Sequence, residues 1–391
     1  MAQVGRTILD EMIALRRDLH AHPELGFEEF RTSSIIAEAL AAEGIAVTTG
    51  IGRTGVVGTL KRGASGRAIM LRADMDALAM PETAEDRPWR STQSGKMHAC
   101  GHDGHTAMLL GAAQHLSRNG RFNGTAHFVF QPAEEGRGGA QAMVDDGFFA
   151  RFPVDRAFGL HNMPGLAVDE MAVVNGPQLA SSDRFQVTFC GKGTHGAKPH
   201  LGRDPVAAAG QFLAAVHTIV ARELDPLEPG VVSICAMEAG DFAALNVIPD
   251  SARLGGTARA YSTSARDKIE ASLQRLGEGI AASMGMTSAF EYRRGMPSVT
   301  NDPAATLGAY QAAVSALGDH KVRAEFPPST AGDDFAIFSE QVPSCYAWLG
   351  NGPAGADAMH HNTKYDFNDG AMATGIAFWT TLVERELPVG S

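Results

Sequence analysis

Apolar residues recur at helical spacing from Ile8 to His20 (Ile8, Met12, Leu15, Leu19) and again over Ser34–Ala42, where Gly44 closes the second helix. Extended runs follow at Ile45–Thr49, Gly55–Leu60 and Ala68–Arg72, punctuated by glycines. Thr106–Leu116, rich in alanine and leucine, predicts a helix, Thr125–Phe130 a strand, Ala140–Asp145 a helix and Arg156–Leu160 a buried strand. Such alternation predicts an α/β domain whose sheet is covered on both faces.

The pattern then changes. Arg184–Cys190 reads as a strand and Pro205–Glu223 as one long helix, with Phe212, Leu213, Val216, Ile219 and Val220 on its apolar face. Strands Val231–Met237 and Ser251–Ala260, a helix Ala265–Met284 and a strand Ser288–Arg293 complete a β-α-β-β-α-β order, the signature of a ferredoxin-like unit. Its ends fall in Asn175-Gly176-Pro177 and Gly295-Met296-Pro297, and helical signal resumes near Ala304–Leu317. The expectation is a catalytic domain over 1–180 and 296–391, interrupted by an inserted α+β domain over 181–295.

A chain of 391 residues is long for one core, which agrees with two domains. The net charge of −11 argues against nucleic acid, because phosphate binding needs a cationic surface. No apolar run is long enough to span a membrane, and Met1–Asp10 lacks the pattern of a secretory signal. The cysteines, Cys100, Cys190, Cys235 and Cys345, are too widely spaced for a disulfide framework, so a cytoplasmic setting is expected. The last three lie in apolar strand surroundings and read as core residues.

Chemistry concentrates in four places. Met97–His105 crowds three imidazoles, a thiol and a carboxylate, with Gly101 as a flexible point between Cys100 and His102. Ligands of this softness suit zinc, manganese, cobalt or nickel; a polar helix cap beside a buried cysteine is the plainer alternative. Glu134-Glu135 follows a buried strand, where α/β folds place their sites. On an extended backbone adjacent glutamates diverge, so one could bind metal and the other move protons; two solvated loop glutamates would look the same. His161 ends a strand, and His360-His361 lie in a loop near the C-terminus.

Ordered motifs then identify a resemblance. Arg17-Asp18-Leu19-His20-Ala21-His22-Pro23-Glu24-Leu25, Arg72-Ala73-Asp74-Met75-Asp76-Ala77-Leu78, Cys100-Gly101-His102-Asp103-Gly104-His105 and Gln131-Pro132-Ala133-Glu134-Glu135-Gly136 are the first four. Gly193-Thr194-His195 to Pro199-His200 and Asn246-Val247-Ile248-Pro249 complete the set. The chain resembles the M20 metallopeptidase family, in the branch of hippurate hydrolases, aminoacylase-like enzymes and auxin-conjugate hydrolases. The resemblance implies that Cys100, His102, Glu135, His161 and His360 hold two divalent ions (manganese, zinc, cobalt or nickel), with Glu134 as general base. It also implies that the inserted domain is a dimerisation lid whose His195 stabilises an oxyanion, with Asn246 and Arg259 gripping a substrate carboxylate. The implied activity is amide hydrolysis of an N-acyl amino acid by a homodimer or dimer-based oligomer. Ala79 after Leu78, and Asp333 in an Asp-Asp-Phe run, depart from the branch's usual Pro and Glu.

Rival readings are an N-acetyl-diaminopimelate deacetylase or dipeptidase of the same family, a hydrolase using Cys100 as nucleophile, and a catalytically silent binding protein on the same fold. Chelation separates the metal and thiol readings.

Overall fold

The computed structural model describes residues 5–390. The chain divides into two compact units: one comprises the described residues up to Gly176, Thr300–Pro327 and Asp333 onward, the other Pro177–Val299 and Pro328–Gly332.

The first unit is built on an eight-stranded mixed sheet. Its centre is parallel: Gly124–Gln131 pairs with Ala68–Asp74, which pairs with Arg156–Met163, which pairs with Ser344–Gly350. Gly55–Arg62 and Ala46–Ile51 extend one side in antiparallel fashion. The strands Ala68–Asp74 and Ser344–Gly350 are buried at every position, as expected where helices cover both faces. Because the central strands run the same way, their carboxyl ends, at Asp74, Gln131, Met163 and Gly350, share one edge of the sheet.

Helix His102–Asn119 packs against Arg6–Ala21 and Met372–Glu386, and is buried at every residue from His102 to Leu116. Glycine permits that closeness: a Cβ at Gly111 would sit 2.8 Å from both Ile376 Cδ1 and Met12 Cγ. This helix begins four residues earlier than its alanine-leucine pattern suggests. Gly101, at φ 90°, turns the backbone in the left-handed region and brings His102, Asp103 and His105 into the first turn.

The second unit carries a four-stranded antiparallel sheet in the order Gly230–Ala239, Ser251–Ala260, Asp183–Cys190, Thr287–Arg293. With its helices this is the ferredoxin-like arrangement expected of the β-α-β-β-α-β order. Phe185, Val187, Phe189, Phe212, Ile269 and Leu273 form its core. The long helix expected over Pro205–Glu223 is instead two, Pro205–Ala215 and Thr218–Arg222. At the break, Thr218 Oγ1 donates to the Ala215 carbonyl at 2.6 Å, while Ile219 N turns to Val216 O.

Two cysteines expected in the core are exposed. Cys190 falls on the open face of a strand whose alternate residues, Asp183 to Phe189, are buried. Cys235 sits where the register shifts between Ile234 and Ala236. Cys345 is buried as expected. No helix of the described residues is long and apolar enough to cross a membrane.

Candidate metal centre

The carboxyl edge of the first unit's sheet gathers the ligand-type side chains. Cys100, Glu135 and His361 bring one ligand atom each to within 4.8 Å of one another, and so do His102, Glu134 and Glu135. His102 and Glu135 link the neighbouring groups, and His161 Nε2 lies 3.4 Å from Cys100 Sγ.

Two histidines turn their Nε2 atoms to this cluster. His102 Nδ1 donates to the Asp76 carbonyl at 2.9 Å, and His161 Nδ1 donates to the Asn162 carbonyl at 2.8 Å. A carbonyl can only accept, so each ring carries a proton on Nδ1, and in its neutral form each would turn an Nε2 lone pair to the cluster. His102 Nε2 is buried without a hydrogen-bond partner, 3.6 Å from Asp74 Oδ2. An unsatisfied buried nitrogen costs about 1–3 kcal/mol, so an imidazole fixed in this tautomer fits a cation that completes it.

His105 is used differently. Its Nδ1 meets Asp74 Oδ1 at 2.6 Å and its Nε2 meets Asn162 Oδ1 at 2.8 Å, so neither nitrogen is spare. It braces the cluster from behind.

The carboxylates crowd together. Glu134 is buried, and burial together with the charges of Asp333, Glu135 and Asp334 holds its pKa well above the usual carboxylate range. Burial and the charge of Glu135 push the Cys100 thiol up as well. A divalent cation would reverse both effects by favouring carboxylate and thiolate. Asp333 and Asp334 are partly compensated by the fully buried Arg72, whose guanidinium lies 3.0 Å from Asp333 Oδ1 and 2.7 Å from Asp74 Oδ2. Among the described residues no arginine or lysine pairs with Glu134 or Glu135, and Glu135 pairs only with the imidazole of His361, at 3.2 Å.

The structure changes two details of the sequence reading. His361, not His360, joins Cys100 and Glu135: its Nε2 is 3.2 Å from Glu135 Oε1. The peptide of His361 is anchored by its N–H donating to Ala99 O at 2.8 Å, and φ of 60° swings the imidazole toward the cluster. His360 packs edge-on against His161, with ring centroids 4.9 Å apart, and its Nε2 accepts from Asn162 Nδ2 at 3.0 Å. Nothing in a His-His pair reveals which imidazole the turn will aim inward. The adjacent glutamates also do not diverge, because Glu134–Arg137 is a turn rather than extended chain. Both carboxylates reach His102.

Asp76 had no role in the sequence reading. Its Oδ2 accepts the Glu135 N–H at 3.0 Å and its carbonyl sets the His102 tautomer. Its place two residues beyond Asp74, at the end of a buried strand, was the available signal.

The second unit carries the other expected residues. His195 pairs with Val247 in a two-stranded ribbon and is exposed. Its Nδ1 accepts from Ala197 N at 3.0 Å, which leaves the proton on Nε2 as a free donor. Asn246 is exposed, and its carbonyl accepts from Gly196 N at 2.7 Å. Arg259 is half-buried in strand Ser251–Ala260, with Nη1 buried and unpartnered.

A mixed sheet with imidazoles, a thiol and carboxylates gathered at its carboxyl edge defines a candidate metal centre of hydrolytic type. The chain belongs to peptidase family M20/M25/M40, whose profile matches residues 70–385, and is a hydrolase of that family. It is 38% identical over 377 residues to the hippurate hydrolase of Campylobacter jejuni, covering 96% of this chain and 97% of that one. It is 40% identical over 352 residues to an N-acetylcysteine deacetylase of Bacillus subtilis, covering 90% of each. A Bacillus subtilis structure described as a dinuclear metal binding peptidase of the M20 family superposes with a TM-score of 0.83, at 34% identity over 98% of this chain and 100% of that one.

Proposed function

We propose that the protein hydrolyses the amide bond of N-acyl amino acids, using two divalent metal ions, with Glu134 as general base. The observation that carries this reading is the unpartnered, buried Nε2 of His102, gathered with the Cys100 thiol, His161, the partly buried Glu135 and the buried Glu134, which has no lysine or arginine partner among the described residues.

Cys100, His102, Glu135, His161 and His361 would hold the ions, His361 replacing His360 in the set implied by resemblance. Bound there, divalent cations acidify a water molecule by several pKa units and polarise a carbonyl oxygen. The Glu134 carboxylate accepts the water's proton as oxygen adds to the amide carbon, then delivers a proton to the departing amine. The absence of an arginine or lysine partner among the described residues suits a group that changes protonation state during turnover. His195, with its proton on Nε2, serves as donor to the developing oxyanion. Arg259 and Asn246 bind the substrate carboxylate, a role that would satisfy the orphaned Arg259 Nη1.

The acyl amide beside a free carboxylate is what the relatives' names share, hippurate and N-acetylcysteine among them. A homodimer built through the second unit is part of the same proposal. Its edge strand Gly230–Ala239 exposes Val231 and Met237, and the segment that follows exposes Phe242, Leu245 and Val247, apolar side chains near a strand edge of the kind that recruits a second chain.

The test is to strip the protein with a chelator, refill it separately with manganese, zinc, cobalt and nickel, and assay a panel. The panel comprises benzoylglycine, N-acetylcysteine, an indoleacetyl amino acid, N-acetyl-diaminopimelate and an unblocked dipeptide. Cleavage of one or more N-acyl amino acids, abolished by stripping and by amidation of the substrate carboxylate, is the expected result. Full activity in the stripped protein would sink the metal reading, and preference for the dipeptide would overturn the substrate class.

A further inference from the structure

We propose that Glu29 is a positioning residue for the hydrolytic carboxylates. Its buried side chain holds the peptide of Ala133 in a left-handed conformation, and thereby sets the turn that aims Glu134 and Glu135 into the ligand cluster. The proposal rests on the reading of those two glutamates as base and ligand.

Glu29 is completely buried, and it forms no salt bridge with any described lysine, arginine or histidine. One carboxylate oxygen accepts from Ala133 N at 2.8 Å and the other from Thr54 Oγ1 at 2.6 Å. A buried carboxylate without a counter-cation opposes folding, so both of its contacts must matter to what it touches.

Ala133 is a strained residue in a critical place. Its φ of 55° lies in the region that glycine tolerates and alanine resists, and it immediately precedes Glu134. The surrounding chain holds it from three directions. Glu29 grips its N–H, and its carbonyl accepts from Gly139 N at 3.1 Å. Gly26 presses so closely that a Cβ there would lie 2.9 Å from Ala133 Cα. Arg137, at the far end of the same turn, donates back to the Gly26 carbonyl at 3.0 Å.

The segment around Glu29 is itself tied to the other wall of the cluster. The Glu24 carbonyl accepts from Ala77 N at 2.8 Å, next to Asp76, whose Oδ2 holds the Glu135 N–H. The Glu24 carboxylate accepts from Arg31 N and Thr32 N at 2.9 and 2.8 Å, seating the first turn of helix Phe30–Ala42. The stretch from Glu24 to Glu29 therefore spans the loop after Ala68–Asp74 and the loop after Gly124–Gln131, and gives a purpose to the Pro23-Glu24-Leu25 end of the N-terminal motif. The carboxylates need this bracket because a misplacement of about 1 Å costs roughly a hundredfold in rate.

The test compares Glu29→Ala, Glu29→Gln, Ala133→Gly and the Glu29→Ala/Ala133→Gly double variant, each as the full chain refilled with cobalt. Cobalt uptake and cleavage are first measured on the unaltered protein with the N-acyl amino acid of the panel that it cleaves fastest. Failure there removes the function proposed above and the role of Glu29 with it, whereas the variants below can overturn the role of Glu29 alone. Given activity, Glu29→Ala should lower kcat about 10- to 100-fold with KM changed less than about threefold, assayed at a temperature where the variant remains folded by circular dichroism. Glu29→Gln, which retains a carbonyl acceptor for Ala133 N, should stay within about threefold of the starting kcat. Glycine at 133 adopts the left-handed conformation unaided, so the double variant should recover most of the lost kcat. Unchanged kcat in Glu29→Ala overturns the proposal. So does a loss that tracks the folded fraction alone, or a double variant no better than Glu29→Ala.

Discussion

The two units solve opposite problems. In the first, strands such as Ala68–Asp74 are buried at every position, and the side chains with chemistry, Cys100, His102, Glu134 and His161, are buried with them. In the second, Ser251–Ala260 alternates between covered and open residues, and His195 and Asn246 are exposed. Burial is what makes the first cluster informative. A histidine tautomer set by a carbonyl and a carboxylate denied a counter-cation are costly unless something completes them. The exposed residues of the second unit incur no such cost, since water satisfies them, and geometry alone says less about their partners. A preorganised centre is therefore readable from one fold, whereas a donor such as His195 is readable only as an Nε2–H awaiting an acceptor.

The largest effect that tests this contrast is catalytic. Glu134→Ala should lower kcat about 10³- to 10⁴-fold while metal content stays at its original level, and His195→Ala should lower it about 10²- to 10³-fold, also without metal loss. Elemental analysis beside steady-state kinetics checks both. Equal loss of metal and rate in His195→Ala would move that residue into the buried centre and erase the distinction.

A second comparison lies within the first unit. His361→Ala should release about one metal ion per chain, because a ligand is removed, whereas His360→Ala should retain both ions and only loosen the Asn162 contact. Reversal of that order would restore the residue suggested by sequence resemblance.

The smallest effect concerns stability away from the centre. Burial lowers the pKa of His127 from its ordinary 6.5 to about 4. The unfolded chain thus binds the proton more readily, and stability rises with pH across that window. It is fully present above about pH 6.5 and is lost as pH falls toward 4, by on the order of 2–3 kcal/mol. His127→Gln should flatten this dependence in urea titrations of the stripped protein, specifically in the transition of the first unit. A slope identical to the unaltered chain's would exclude burial of His127 as its source.

Much of this architecture is legible in the linear pattern. Hydrophobic runs marked three of the central parallel strands, though not Ser344–Gly350, and the β-α-β-β-α-β order marked the second unit, because both depend on periodicity along a few consecutive residues. The long helix over Pro205–Glu223 was misread for a local reason: a threonine hydroxyl can take a helix carbonyl, and apolar spacing does not register that competition. Cys235 was misread because a register shift turns a strand residue outward without altering composition. At the centre, residue type and position beside strand ends singled out the segments, and the family resemblance picked Cys100, His102, Glu134, Glu135 and His161 from them.

The rest needed three dimensions. Whether His360 or His361 faces Cys100 depends on one left-handed backbone turn, held by a hydrogen bond to Ala99 from 262 residues earlier in the chain. The tautomers of His102 and His161, the bracing by His105 and Asp76, and the grip of Glu29 on Ala133 arise from contacts between segments far apart in sequence. Composition and periodicity select the kinds of atoms and the elements that carry them. Direction, protonation and strain belong to pairs of residues, and those pairs exist only once the chain has folded.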